Sequence, residues 1–237
     1  MAVGSFSRAI CSWHAAAFTW SVVSLWQNCV VNTRTRRPSV FTYGGRWKFL
    51  TFINQVLQCV LFGVCFFTDL CQLFGFGKKE GVWSRLLLLL RDCIFSVLAF
   101  PVGTFVVASF WSIYAYDREL IYPEKMDAII PQWLNHSMHT VVLPLLLLEL
   151  FICFHQYPRK KKGLLGLASF SFVYLSWILW IKYVSGFWVY PILEKLDAVA
   201  MVVFFAACIL ILASLYHLGE FLTKLCWGDS VDWKKRA

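Results

Sequence analysis

Six apolar runs follow one another along this chain, at about residues 9–31, 47–74, 86–116, 129–155, 164–187 and 196–225. Each is long enough to cross about 30 Å of hydrocarbon. Lipid offers backbone groups no water to bond, so a spanning segment is either a helix or a strand of a closed barrel. These runs are too long for barrel strands, so they are read as helices. With 59% hydrophobic and 15% charged residues and a mean hydropathy of +0.65, the chain is far greasier than an aqueous domain. Short connections leave no room for a separate soluble unit. The predicted fold is all-α: one polytopic transmembrane helical bundle over residues 1–237 with six spans. The third run exceeds a vertical span and contains Pro101 and Gly103, which predicts a kink or a tilt. The first run is too long for a secretory h-region and is read as a retained first helix.

Charge sets orientation. Placing the N-terminus, the second and fourth loops and the C-terminus on one side collects twelve Lys and Arg there, among them Lys160, Lys161 and Lys162, against eight opposite. Positive residues favour the cytosolic face, so both termini are predicted to be cytosolic, although the Arg34, Arg36 and Arg37 cluster pulls the other way. The net charge of +9 suits anionic headgroups on so apolar a chain, and no nucleic-acid partner is expected. The ending Lys234-Lys235-Arg236-Ala237 fits either a dilysine retrieval signal or a plain basic tail. The endoplasmic reticulum and the plasma membrane therefore both stand as locations. The nine cysteines have no C-x-x-C spacing, so neither a disulfide framework nor a structural zinc site is expected.

Polar side chains at membrane depth need partners or a task. In the second run Thr51, Asn54, Gln55 and Gln58 recur at i, i+3, i+4 and i+7, one helical face. In the fourth, Asn135, His136, His139 and Thr140 share a face, with Glu149 deeper on roughly the same side. Both helices enter the membrane from the non-cytosolic face, so the two clusters can meet. One reading is structural, with these groups bonding neighbouring helices. Asp69, Arg91, Asp92 and Glu149 can likewise form an ion-pair cluster towards the cytosolic side. A metal reading of His136 and His139 lacks a third ligand in the sequence. In the catalytic reading a threonine hydroxyl needs a base to take its proton, and a buried neutral imidazole suits that role. Asn135, one turn before His139, can orient the ring or donate to an oxyanion. Two turns echo each other, Tyr122-Pro123-Glu124-Lys125-Met126-Asp127 and Tyr190-Pro191-Ile192-Leu193-Glu194-Lys195-Leu196-Asp197. Asp127 and Asp197 would cap the helices that follow.

Five stretches carry a resemblance. They are Thr42-Tyr43-Gly44-Gly45-Arg46-Trp47-Lys48-Phe49-Leu50-Thr51, Leu98-Ala99-Phe100-Pro101-Val102, the segment from Tyr116 to Pro123, Trp133-Leu134-Asn135-His136-Ser137-Met138-His139-Thr140, and Trp188-Val189-Tyr190-Pro191. Together they resemble the androgen-induced gene family of multipass membrane proteins from Thr42 onward. The resemblance implies a threonine hydrolase of fatty acid esters of hydroxy fatty acids. It places the nucleophile on Thr51, after Trp-Lys-aromatic-apolar, and the histidine on His139, second in Asn-His-x-Met-His. It implies a membrane lipid substrate and no cofactor or metal. Two alternatives are a non-enzymatic regulator or lipid-binding bundle and, with only Pro101 and Pro144 hinting at broken spans, a transporter.

Overall fold

The computed structural model describes residues 2–34, 42–74 and 82–228. The Arg36–Arg37 pair, Lys78, Lys79 and the Lys234-Lys235 tail lie outside them. Helix α1 (Ala2–Arg34) leads, by way of a 3-10 turn at Gly45–Lys48, to α2 (Leu50–Leu73). Helix α3 (Val82–Cys93) runs through a π-helical stretch, Ile94–Ala99, into α4 (Phe100–Asp117). Then come α5 (Gln132–His139), α6 (Val142–Ile152), α7 (Lys160–Ser185) and α8 (Ala198–Trp227), with no strand among the described residues.

Among the described residues four helical stretches are long and apolar enough to cross a membrane: Leu50–Leu73, Val82–Leu120, Lys160–Ser185 and Ala198–Trp227. A fifth crossing is available if α5 and α6 count as one broken span. The chain is therefore a multi-pass helical membrane protein. Helix α1 covers the first predicted run but does not reach the apolarity of the other four. Helices α2 and α3–α4 are the most buried spans. By contrast α7 and α8 turn Leu165, Phe172, Val173, Val199, Val202 and Leu210 outward, the surface expected to face lipid.

Two expectations for the spans change in detail. The irregularity in the third run is the π-helical turn just before Pro101. There the Phe100 N–H bonds the Phe95 carbonyl, a widened ladder ending where proline removes a donor. The fourth run is not one rod. Helices α5 and α6 meet at 42°. Pro144 has no N–H to offer the Thr140 carbonyl, and the Val141 N–H reaches back to His136 O instead, at 2.9 Å. The helix also stops at Ile152, short of His155. Of the two echoed turns, Asp197 caps α8 by accepting from Ala200 N at 2.8 Å. Asp127 caps no helix; it pairs with Arg118 at 2.7 Å, and α5 starts after Pro131.

The core joins α1, α2, α4 and α6 through Ala17, Leu61, Phe62, Phe100, Leu146 and Leu150, with Phe95 of the π turn. Helix α8 meets α4 at Gly219, where a Cβ would lie 2.4 Å from Tyr157 Oη and 2.7 Å from the Phe100 ring. Both rings are buried and cannot swing aside. Gly219→Ala is expected to destabilise the bundle by about 1–3 kcal/mol, the usual cost of overpacking, read as a lowered melting temperature in detergent. An unchanged melting temperature would mean the α4–α8 contact is looser than its geometry.

Candidate active site

The approach to α2 is built by two left-handed glycines, Gly44 at φ 81 and Gly45 at φ 56, a conformation glycine adopts without penalty. They close a turn in which Gly45 N donates to Thr42 O at 3.0 Å. The Lys48 amine folds back onto the Thr42 hydroxyl and lies 3.4 Å from Tyr43 O. A relay of hydroxyls then pins the start of α2. Leu50 N donates to Tyr190 Oη at 2.9 Å, and the Tyr190 and Tyr174 hydroxyls are 3.0 Å apart. Tyr174 in turn donates to Lys48 O at 3.0 Å. This places Thr51 in the first turn of α2, its side chain half-buried.

His139 is the last residue of α5 and is 4% exposed. Its ring lies flat on Phe110, centroids 3.6 Å apart and planes within 6°. Trp111 Nε1 donates to its carbonyl at 2.7 Å, holding the end of α5 against α4. Nδ1 faces two oxygens of Asn135, the main-chain carbonyl at 3.1 Å and Oδ1 at 2.8 Å. A main-chain carbonyl can only accept, so Nδ1 carries the proton. In the neutral ring Nε2 is then left with a bare lone pair. Nε2 lies 3.2 Å from Thr51 Oγ1. A hydroxyl and a proton acceptor 88 positions apart in sequence are thus within hydrogen-bond reach.

The remaining polar residues of both faces go elsewhere. Gln55 bonds α1, donating to Ser24 Oγ at 3.0 Å and accepting from Asn28. Gln58 donates to Asn54 Oδ1 at 3.1 Å. His136 bonds Thr140 Oγ1 at 3.0 Å and stacks on Trp111. The structural reading thus describes most of the two stripes, and Thr51 and His139 are set apart by facing each other. They also face a cavity of about 1130 Å³, whose walls include Phe105, Phe110, Tyr190 and Leu212. Its lining is mainly aliphatic and aromatic, and its volume exceeds the range usual for drug-sized ligands.

Residues 9–224 match the model of the FAR-17a/AIG1-like protein family. The chain belongs to that family. It is 50% identical over 193 residues to the human androgen-induced gene 1 protein, covering 80% of this chain and 81% of the relative. It is 38% identical over 226 residues to the human androgen-dependent TFPI-regulating protein, covering 95% and 96%. A Schizosaccharomyces pombe membrane protein of the UPF0641 group is 25% identical over 178 residues, 74% of each chain. No solved structure matches the chain. The FAR-17a/AIG1-like match begins at residue 9 and so includes most of α1, ahead of the motifs that carried the resemblance.

This FAR-17a/AIG1-like protein holds a second polar cluster at the other end of the bundle. Thr51 and Asp69 are 18 residues apart on α2, about 27 Å at the helical rise. At that end His14 of α1 contacts Asp69 (Nδ1 to Oδ2, 2.6 Å) and Glu149 (Nε2 to Oε2, 3.0 Å). His155 contacts Glu149 Oε1 at 2.9 Å and Asp92 Oδ1 at 3.3 Å, and Arg91 pairs with Asp92 at 2.7 Å. The four charged residues expected to gather do so, through two histidines the charge pattern does not reveal. Glu149 belongs here and not with Asn135. A lone histidine inside an apolar run, as His14 is, was the available signal.

Proposed function

We propose that this protein is an intramembrane hydrolase of fatty acid esters of hydroxy fatty acids, with Thr51 as nucleophile and His139 as base. The observation that carries the reading is the 3.2 Å contact between Thr51 Oγ1 and His139 Nε2, at the wall of an apolar cavity. A branched ester partitions into the bilayer and enters the cavity with its carbonyl at Thr51. Nε2 takes the hydroxyl proton as Oγ1 attacks. The tetrahedral intermediate collapses, and the hydroxy fatty acid leaves with the proton from Nε2. Water, deprotonated by the same nitrogen, then releases the fatty acid from the acyl-threonine. Asn135 fits the orienting role better than the oxyanion role, because its oxygens point at Nδ1.

The reading includes six spans with both termini cytosolic, in the endoplasmic reticulum or the plasma membrane. Helix α1 would be the first span. Its His14, Ser21, Ser24 and Asn28 are buried, so polar groups that lower its hydropathy face the bundle and not the lipid.

An alkyl fluorophosphonate separates catalysis from a purely regulatory or lipid-binding role, the second reading. Purified wild-type protein is expected to label covalently at Thr51, and the branched ester should compete. Equal labelling of Thr51→Ala would remove the assignment. Asn135→Ala leaves only the main-chain carbonyl on Nδ1. It is expected to lower kcat about tenfold, a part of the about 10²–10⁴-fold that a positioned general base contributes, with KM little changed, in a labelled-ester assay. A rise in KM at constant kcat would instead mark Asn135 as a binding group.

A further inference from the structure

We propose that the buried cluster at the far end of the bundle is a zinc site, with His14, Glu149 and Cys153 as its ligands. The three donors come from α1, α6 and the residue that ends α6, and their ligand atoms all lie within 4.8 Å of one another. His14 Nε2 is 3.0 Å from Glu149 Oε2 and 3.6 Å from Cys153 Sγ. Donors at zinc distances on a tetrahedral ion are about 3.3–3.6 Å apart, so both contacts of His14 Nε2 lie within a few tenths of an ångström of that spacing. Imidazole, carboxylate and thiolate together suit zinc.

The surroundings are those of a ligand set. A ligating histidine usually gives its other ring N–H to a carboxylate, and His14 Nδ1 lies 2.6 Å from Asp69 Oδ2. A ligating carboxylate is usually bonded through its spare oxygen, and His155 Nε2 lies 2.9 Å from Glu149 Oε1. Trp13 Nε1 bonds Glu149 Oε2 at 3.0 Å, leaving that oxygen a second lone pair. The cluster is closed to lipid, with His14, Glu149 and His155 at 0% exposure. The side chains of Asp69, Asp92 and Arg91 keep slight exposure, a polar way in.

Zinc takes its ligands deprotonated, so binding releases whatever protons the donor atoms carry, and the ion would tie α1 to the end of α6.

No closely spaced cysteine pair marks this site in the sequence. His14 lies 135 and 139 positions from Glu149 and Cys153, which are themselves only four apart but include a single cysteine.

The experiment uses the full chain purified in detergent, stripped with chelator, reloaded with zinc and passed through a desalting column. About one zinc per chain should stay bound, and X-ray absorption should show at least one sulfur in its shell. Cys153→Ser and His14→Gln should each weaken retention at least tenfold. Asp69→Asn should weaken it about 10–100-fold, as loss of a carboxylate behind a ligating histidine does. Thr51→Ala should bind zinc like wild type, which separates this site from the proposed hydrolase. Zinc below about a tenth per chain, a sulfur-free shell, or unchanged retention in Cys153→Ser would overturn the assignment. The sulfur count is read on wild-type protein, so the test stands even if a variant does not fold.

Discussion

Thr51→Ala is expected to abolish ester hydrolysis, lowering kcat by at least about 10³-fold, while the protein still folds and still binds the ester. The expectation follows from what the side chain touches. Thr51 is half-buried in the first turn of α2, and among the described residues its hydroxyl pairs with His139 Nε2. Thr51→Ala takes away the attacking oxygen and one half-buried methyl, a small change in packing beside the loss of the nucleophile. A loss of 10³ corresponds to about 4 kcal/mol of transition-state stabilisation. His139→Ala should cost a similar amount. The double variant should be little worse than either single one, because residues acting as one unit are strongly non-additive. Thr51→Ser keeps a hydroxyl in reach of Nε2 and should retain a measurable fraction of the rate. The measurement is turnover of a labelled branched ester by purified protein, with substrate binding followed in parallel. Full turnover in Thr51→Ala would end the mechanism. Equal multiplicative losses in the double variant would mean that the two residues do not act on one proton.

Glu149→Leu is the substitution expected to cost most in stability, about 3–5 kcal/mol, the range for removing one partner of a buried charged network. Glu149 is fully buried, and four side chains converge on it. They are Trp13 at 3.0 Å, His14 at 3.0 Å, His155 at 2.9 Å and, more weakly, Cys65 at 3.7 Å. Leucine has similar bulk, so the core stays filled, and the cost falls on two histidines and an indole left without their acceptor in a dry site. Glu149→Gln keeps an oxygen for one or two of these donors and should cost less. Thermal unfolding in detergent reads both, and the order Leu worse than Gln is the discriminating result. Equal effects would show that volume and not acceptor capacity decides the site. A hydrophobic replacement of a whole network can be neutral. A triple change that also replaces His14 and His155 should therefore recover part of the loss.

How far these sites could be read before folding differs from residue to residue. Thr51 and His139 stood out only through the motifs that carry the family resemblance; polarity at membrane depth marked them no more than their neighbours. Their juxtaposition was not legible. It depends on how α5, bent by 42° from α6, is held against α4 by the Trp111 bond to the His139 carbonyl. Asn54, Gln55 and Gln58 looked equivalent to Thr51 by period alone. Helix α1 separates them, since its Ser24 and Asn28 take up Gln55. His14, Cys153 and His155 carried no motif at all.

The sequence alone determined the solvent and the element type. Long apolar runs must satisfy their backbone internally, so they are helices in a membrane whatever they pack against. It also pointed to the irregularity in the third run, because Pro101 deletes a ladder bond there. Which polar groups meet was decided only by tertiary structure. A helical face is a stripe about the axis, and period does not say which neighbour that stripe will face, or at what depth. The 3.2 Å contact of Thr51 with His139 and the gathering of His14, Glu149 and Cys153 depend on the tilt and rotation of whole helices. Those are set by ring stacking, close glycine contacts and one bend, which act between segments far apart in the chain.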